Sequence, residues 1–209
     1  LYATGRLMSQ FGRQQEAIQT YHQALQLFQR IEDLTGQGFV LGSLGWVYYR
    51  LGDYSQAIQF HQQALDIRQA IDHQEGMAFS WGGLGAAYAA QGNYREAIRL
   101  HQDQDALLRQ VDNRREEAEA LVDLANAHAA LGDYSRALPL YQEALAIQRH
   151  IHHREGEGVT LGQLGRLFHQ RGQEQLAILF LKQAINVREA IRFEMRGLPQ
   201  NWQRSYRDT

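Results

Sequence analysis

The densest concentration of chemistry in this 209-residue chain is the stretch RHIHHREG, which places His150, His152 and His153 within four positions. Imidazole nitrogens this close are a common way to hold a metal ion. Adjacent histidines near a helix end point in different directions, however, and no carboxylate or cysteine completes a ligand set, so the stretch reads as a polar turn and no metal site is expected. No nucleophile elbow, phosphate loop or metalloprotease motif occurs. The chain is therefore read as a non-enzyme that needs no cofactor.

A second set of reactive side chains is suited to holding a ligand. Trp46, Tyr49 and Arg50 stand close together in LGWVYYR, with Phe39 one helical face upstream and Phe79 forty residues further on. Asn126, Arg166 and His169 add hydrogen-bond donors in the later half. Aromatic rings bury area at low entropic cost, and arginine and asparagine recognise carboxylates and peptide amides. The competing reading is packing alone: aromatics at helical spacing also fill gaps between helices. His61 and His101 share a column with Tyr21 and Tyr141 and are read as packing residues.

The elements that carry these residues repeat. Gly12, Gly52, Gly92, Gly132 and Gly172 recur every forty residues, as do Ala17, Ala57, Ala97, Ala137 and Ala177. A fixed period of this size marks stacked supersecondary units. Within a unit, Leu41, Leu44, Gly45 and Tyr48 recur at three- and four-residue steps and predict a first helix, A. Gly52 ends it, because a residue without Cβ accepts the left-handed conformation that closes helices. Asp53 with Gln56, and Asn93 with Glu96, resemble capping boxes that open a second helix, B. Its buried face carries Ala57, Ile58, His61, Ala64, Leu65 and Ile67, with small alanines allowing close approach. In the third unit Gln104 and Asp105 replace Ala64 and Leu65. A local shift exposing both is expected, because an unpaired buried carboxylate costs several kcal/mol.

The columns Leu44-Gly45, Tyr48, Gly52, Ala57 and Ala64 resemble the tetratricopeptide repeat. They return as Leu84-Gly85, Tyr88, Gly92 and Ala97; as Leu124-Ala125, His128, Gly132, Ala137 and Ala144; and as Leu164-Gly165, Phe168, Gly172, Ala177 and Ala184. The first unit is short at its front and keeps Gly5, Met8, Gly12, Ala17 and Ala24. The resemblance implies an all-α fold, an α-α superhelix (solenoid) of about five helix-turn-helix repeats over residues 1–196, followed by a tail or the start of a further region at 197–209. Against the usual repeat of about 34 residues, six more per unit imply longer helices. The longer form is similar to repeats of kinesin light chains, spindle-orientation adaptors and bacterial signalling proteins.

The same resemblance places helix A faces on a concave surface where partners bind. Carried over residue by residue, it implies a peptide-binding groove of Phe39, Trp46, Tyr49, Arg50, Phe79, Asn126, Arg166 and His169. An asparagine commonly follows the Leu-Gly pair; here Trp46, Ala86, Asn126 and Arg166 stand there, so one position of four matches. Members that clamp a terminal carboxylate use lysines, and Lys182 is the sole lysine of the chain, so that clamp is not expected.

A net charge of −2 without any dense run of Lys or Arg gives no pull toward nucleic acid or anionic membrane, and neither is expected as a partner. Zero cysteines suit a reducing compartment, and a cytoplasmic protein is expected. The tail RGLPQNWQRSYRDT, where Gly197 and Pro199 should end the last helix, resembles the segment joining such repeats to a CHAT caspase-like domain in cyanobacterial proteins. Two functions follow as expectations. One is an interaction scaffold that binds a peptide or protein segment; the other is the recognition or sensor arm of a larger signalling or CHAT-type protease protein. Apolar repeat ends are expected to favour self-association.

Overall fold

In the computed structural model, which describes residues 1–196, every described element is an α-helix. The chain divides into two compact units, Leu1–Asn113 and Arg114–Thr209. The first holds α1 (Tyr2–Gln10), α2 (Gln14–Arg30), α3 (Leu34–Arg50), α4 (Tyr54–Ala70), α5 (Gln74–Ala90) and α6 (Tyr94–Gln110). The second holds α7 (Arg114–Ala130), α8 (Tyr134–His150), α9 (Arg154–Gln170) and α10 (Glu174–Arg196). Helices α2 to α9 are each 17 residues long and α1 has 9, so the first A helix is short, as its columns imply. The fold class is that expected, all-α helix-turn-helix repeats. The tail call at 197–209, with its Gly197 and Pro199, lies outside the described residues.

The turns explain why so regular a ladder forms. After α3, Gly52 takes φ +81° and donates to Tyr49 O at 3.0 Å, while Asp53 N donates to Tyr48 O at 3.0 Å. These are the two bonds of a Schellman ending, which satisfies carbonyls that the helix itself leaves open. The turns from B back to A use the same pair of bonds with a non-glycine residue in the left-handed position: Glu32, Asp72, Asp112 and His152, at φ 52° to 56°. His152 of the histidine cluster is thus a turn residue.

Five of the helices, α3, α4, α5, α6 and α8, are opened by a side chain. Asp33, Asp53 and Asp133 Oδ1 accept from the backbone N–H three residues on, at 2.9, 3.1 and 3.2 Å, and His73 Nδ1 does the same from Gly76 at 3.1 Å. Asn93 accepts from Glu96 N at 3.5 Å, but the Glu96 carboxylate does not complete the expected box and pairs with Arg99 instead.

Cores form where alanine columns let A and B helices close up. In the first unit Ala17, Val40, Leu44 and Val47 are fully buried. In the second, Ala125, Ala137, Leu161 and Leu164 are buried equally. Two residues correct the expected exposure of the third B helix. Gln104 is 8% exposed and its Oε1 lies 3.1 Å from His101 Nδ1. It occupies the space that Gly82 leaves: a Cβ there would stand 2.7 Å from Gln104 Nε2. Asp105 is partly buried and accepts from Arg109 Nε at 2.9 Å. Helix α6 thus keeps its register, with Gln104 and Asp105 Oδ2 partnered in place and Asp105 Oδ1 buried without a hydrogen bond.

Candidate functional site

In the first unit, the A-helix face is built on α3 and α5. Phe39, Gly42, Trp46 and Tyr49 follow one another at three- and four-residue steps along α3, which puts them on one side of it. Trp46 meets Phe79 of α5 edge-on, with centroids 6.1 Å apart, and also touches Tyr49 and His61, at 5.4 and 5.3 Å. Phe39 and Phe79 remain 43% and 45% exposed. The structure thus brings Phe39, Trp46, Tyr49 and Phe79 onto neighbouring helices, with the two phenylalanines presenting ring surface to solvent. Arg50 is engaged elsewhere: its guanidinium donates to Ser9 Oγ of α1.

Glycines decide how closely this face packs on the helices behind it. The His61 ring, fully buried, is held between Gly45 and Gly83, where added Cβ atoms would stand 2.6 and 2.3 Å from it. Neither ring nitrogen has a hydrogen-bond partner. Burial first, and the nearby Arg68 cation second, lower the His61 pKa to about 3, so the ring is neutral. His101 is likewise buried, which agrees with reading this column as packing.

Arg68 itself was absent from the sequence reading. It lies on α4, is 3% exposed, and passes its side chain between α3 and α5. Nη1 donates to Gly76 O at 3.0 Å and Ser80 Oγ at 2.6 Å. The guanidinium carbon lies 5.9 Å from the Phe39 ring centre and 5.3 Å from that of Phe79, a double cation–π arrangement. Burial lowers its pKa to about 10, and among the described residues no Asp or Glu forms an ion pair with it. A signal existed: Arg68 falls four residues after Ala64 and seven after His61, on the buried face of its helix.

In the second unit, Asn126 of α7 and Arg166 and His169 of α9 are all at the surface or partly so. Tyr141 donates to Asn126 Oδ1 at 2.6 Å, a bond that does not use the amide NH2. Burial pushes the Tyr141 phenol up to about 12, with the Arg166 guanidinium opposing it. His169 lies 2.8 Å from Glu174 of α10. Beside them a cavity of about 350 Å³ is lined by Arg115, Glu119, Asp123, Gln148, His153 and Val159, among others. Its Glu119 carboxyl is shifted up, by burial first and by the Asp123 charge, against the pull of Arg115. The Gln148 side chain at its base is 2% exposed and accepts from Thr160 Oγ1 at 2.8 Å. Gln148 stands in the column of Arg68, and Thr160 in that of Ser80, two repeats on. Among the described residues, no three potential metal ligands converge, at the histidine cluster or elsewhere. Nor is any described helix long and apolar enough to cross a membrane.

The tetratricopeptide repeat model matches residues 2–70, 76–150 and 116–190. No curated protein matches the sequence. Among solved structures, a putative kinesin light chain with nearly identical TPR-like repeats from Podosopora anserina is 22% identical, with a TM-score of 0.75, covering 91% of this chain and 94% of its own. A Rap protein complexed with Competence and Sporulation Factor is 18% identical with a TM-score of 0.81, covering 93% of this chain and 54% of its own. The signal transduction ATPase with numerous domains from Pyrococcus horikoshii, which carries a tetratricopeptide repeat sensor, is 18% identical with a TM-score of 0.81; the match covers 93% of this chain and 30% of that one.

Proposed function

Since the chain belongs to the tetratricopeptide repeat family, we propose that it is a non-catalytic interaction module whose A-helix faces bind an extended protein or peptide segment. The observation that carries this is the exposure of Phe39 and Phe79 beside Trp46. A helix pair that only needed to pack would turn such rings inward, and partly exposed aromatic clusters are what binding surfaces are made of. Within the second unit, the Asn126 amide and the exposed Arg166 offer donors that suit backbone carbonyls and carboxylates of a bound segment. The Rap protein, which shares this fold, is complexed with Competence and Sporulation Factor, which supports reading such a fold as a binder. The sensor of the multidomain ATPase supports a second reading, in which this module is the recognition arm of a larger signalling protein.

The test begins with a peptide selected against the whole chain from a displayed random library. A peptide seated on the first unit should bind about 1–3 kcal/mol more weakly to Trp46→Ala and to Phe79→Ala, and one seated on the second unit to Arg166→Ala, the range for aromatic and arginine anchors. Melting temperature is measured on the same variants. Trp46 is half-buried against His61, so some stability loss is expected there. Loss of stability with unchanged affinity in all three variants would sink the reading.

A further inference from the structure

A buried cation without a counter-ion is costly, because removal from water is not repaid by an opposite charge. Arg68 is such a cation. Its Nη1 edge is consumed by Gly76 O and Ser80 Oγ. Its other terminal nitrogen, Nη2, lies at Gly42, where a Cβ would come within 3.1 Å of it and within 3.3 Å of Phe79 Cε1. A side chain at residue 42 would therefore crowd the guanidinium, and glycine leaves it room. The rings of Phe39 and Phe79, each more than two-fifths exposed, flank it. The guanidinium thus sits at the root of the aromatic surface described above, with one edge anchored and one edge uncommitted.

We infer that Arg68 is the anion-recognition centre of the first unit and takes a carboxylate of the bound segment between Phe39 and Phe79. The inference rests on the reading of this face as a peptide-binding surface and names the chemistry it selects. A planar guanidinium offers parallel N–H donors that match the two oxygens of a carboxylate. The apolar rings on both sides lower the local dielectric, so an ion pair formed there is stronger than one at an open surface. The hydrogen bonds to Gly76 and Ser80 hold the group in place before the ligand arrives, which reduces the ordering cost of binding. Column comparison supports a selective role. In the second unit the column of Arg68 holds neutral Gln148 in α8 and Arg188 in α10; in the repeat of Gln148 the equivalent of Phe39 is Glu119 and that of Gly42 is Val122. There a glutamine fills the same buried position and bonds the equivalent hydroxyl, so the fold does not require a cation at this point. This centre also differs in origin from a clamp of concave lysines, since it comes from a B helix and reaches through the gap between two A helices.

Three synthetic probes separate the sources of the carboxylate: acetyl-Phe-Glu-Phe-amide, with a side-chain carboxylate; acetyl-Phe-Gln-Phe with a free C-terminus; and the neutral acetyl-Phe-Gln-Phe-amide. Binding to the full chain is followed by titration calorimetry and by side-chain NMR of the Arg Nε–H and Trp indole signals. At least one acidic probe should bind about tenfold or more tightly than the neutral one, as expected for hydrogen bonds to a charged group. That preference should fall to about twofold or less in Arg68→Gln, the residue the second unit uses. Whichever acidic probe shows the preference identifies the source. Should Arg68→Gln fail to fold by circular dichroism, Gly42→Ala is read instead, since its Cβ crowds Nη2 while leaving the charge in place. Equal binding of all three probes, or a preference that survives the substitutions, overturns the Arg68 assignment while leaving the peptide-binding face standing. Absence of binding by every probe at millimolar concentration overturns both.

Discussion

Gly83→Ala should destabilise the first unit even though alanine is the better helix former. An added Cβ at residue 83 would stand 2.3 Å from His61 Cε1 and 2.4 Å from Nε2, more than 1 Å inside ordinary contact. The ring has little room to retreat, because Gly45 backs it on the other side at 2.6 Å and Trp46 and Phe79 close its edges. Overpacking of this kind costs about 1–3 kcal/mol, and a clash this deep belongs at the upper end. Helix propensity returns about 1 kcal/mol, which leaves a net loss of about 2 kcal/mol. Gly162 is the control: it lies inside α9, and a Cβ there meets nothing within 4 Å. Gly162→Ala should stabilise by about 1 kcal/mol from propensity alone. Urea unfolding reads the totals, and amide hydrogen exchange in α4 and α5 against α9 reads them locally, which suits a repeat protein whose units open separately. Repeating Gly83→Ala in a His61→Ala background should abolish the loss, giving a coupling of about 2–3 kcal/mol. If Gly83→Ala stabilised as much as Gly162→Ala, or if removing the ring left its cost unchanged, the close-approach argument would be wrong.

Further outcomes follow from the same geometry. His61 has a folded pKa of about 3 against an ordinary value of 6.5, so the unfolded chain binds the proton more readily and stability falls as pH drops from 6.5 toward 3. The slope from this group reaches about 1.4 kcal/mol per pH unit. His128 and His153 are lowered too, so the readout is the difference between wild type and His61→Leu in melts from pH 7 to 4, with the variant losing less stability. Gly132→Ala should cost about 1 kcal/mol, measured by urea unfolding: nothing crowds its Cβ, but φ is +78°. Asp53→Ala should cost about 1 kcal/mol through the lost cap on Gln56 N–H, with Asp53→Asn recovering most of it in a thermal melt.

The sequence by itself determined the architecture, because its signals are local. A left-handed glycine such as Gly52, a cap such as Asp53 and three- and four-residue apolar spacing each act within one turn of chain, and their forty-residue recurrence multiplies them into helix-turn-helix units. The aromatic face was legible for the same reason: Phe39 and Trp46 share one side of α3 by spacing alone. Charged side chains were not. Arg50 looked free until Ser9 stood forty-one residues away to receive it, and His169 until Glu174 did. Gln104 was expected at the surface, but the void beside Gly82 buries it. Arg68 drew no reading from the sequence, and only the tertiary structure carries its guanidinium to Gly42, Phe39 and Phe79. A long polar side chain has several helix-compatible rotamers, and its helix does not choose among them. The choice falls to the space and the partners that other helices present, from five to forty-one residues along the chain, and the apolar spacing within one helix carries no record of them.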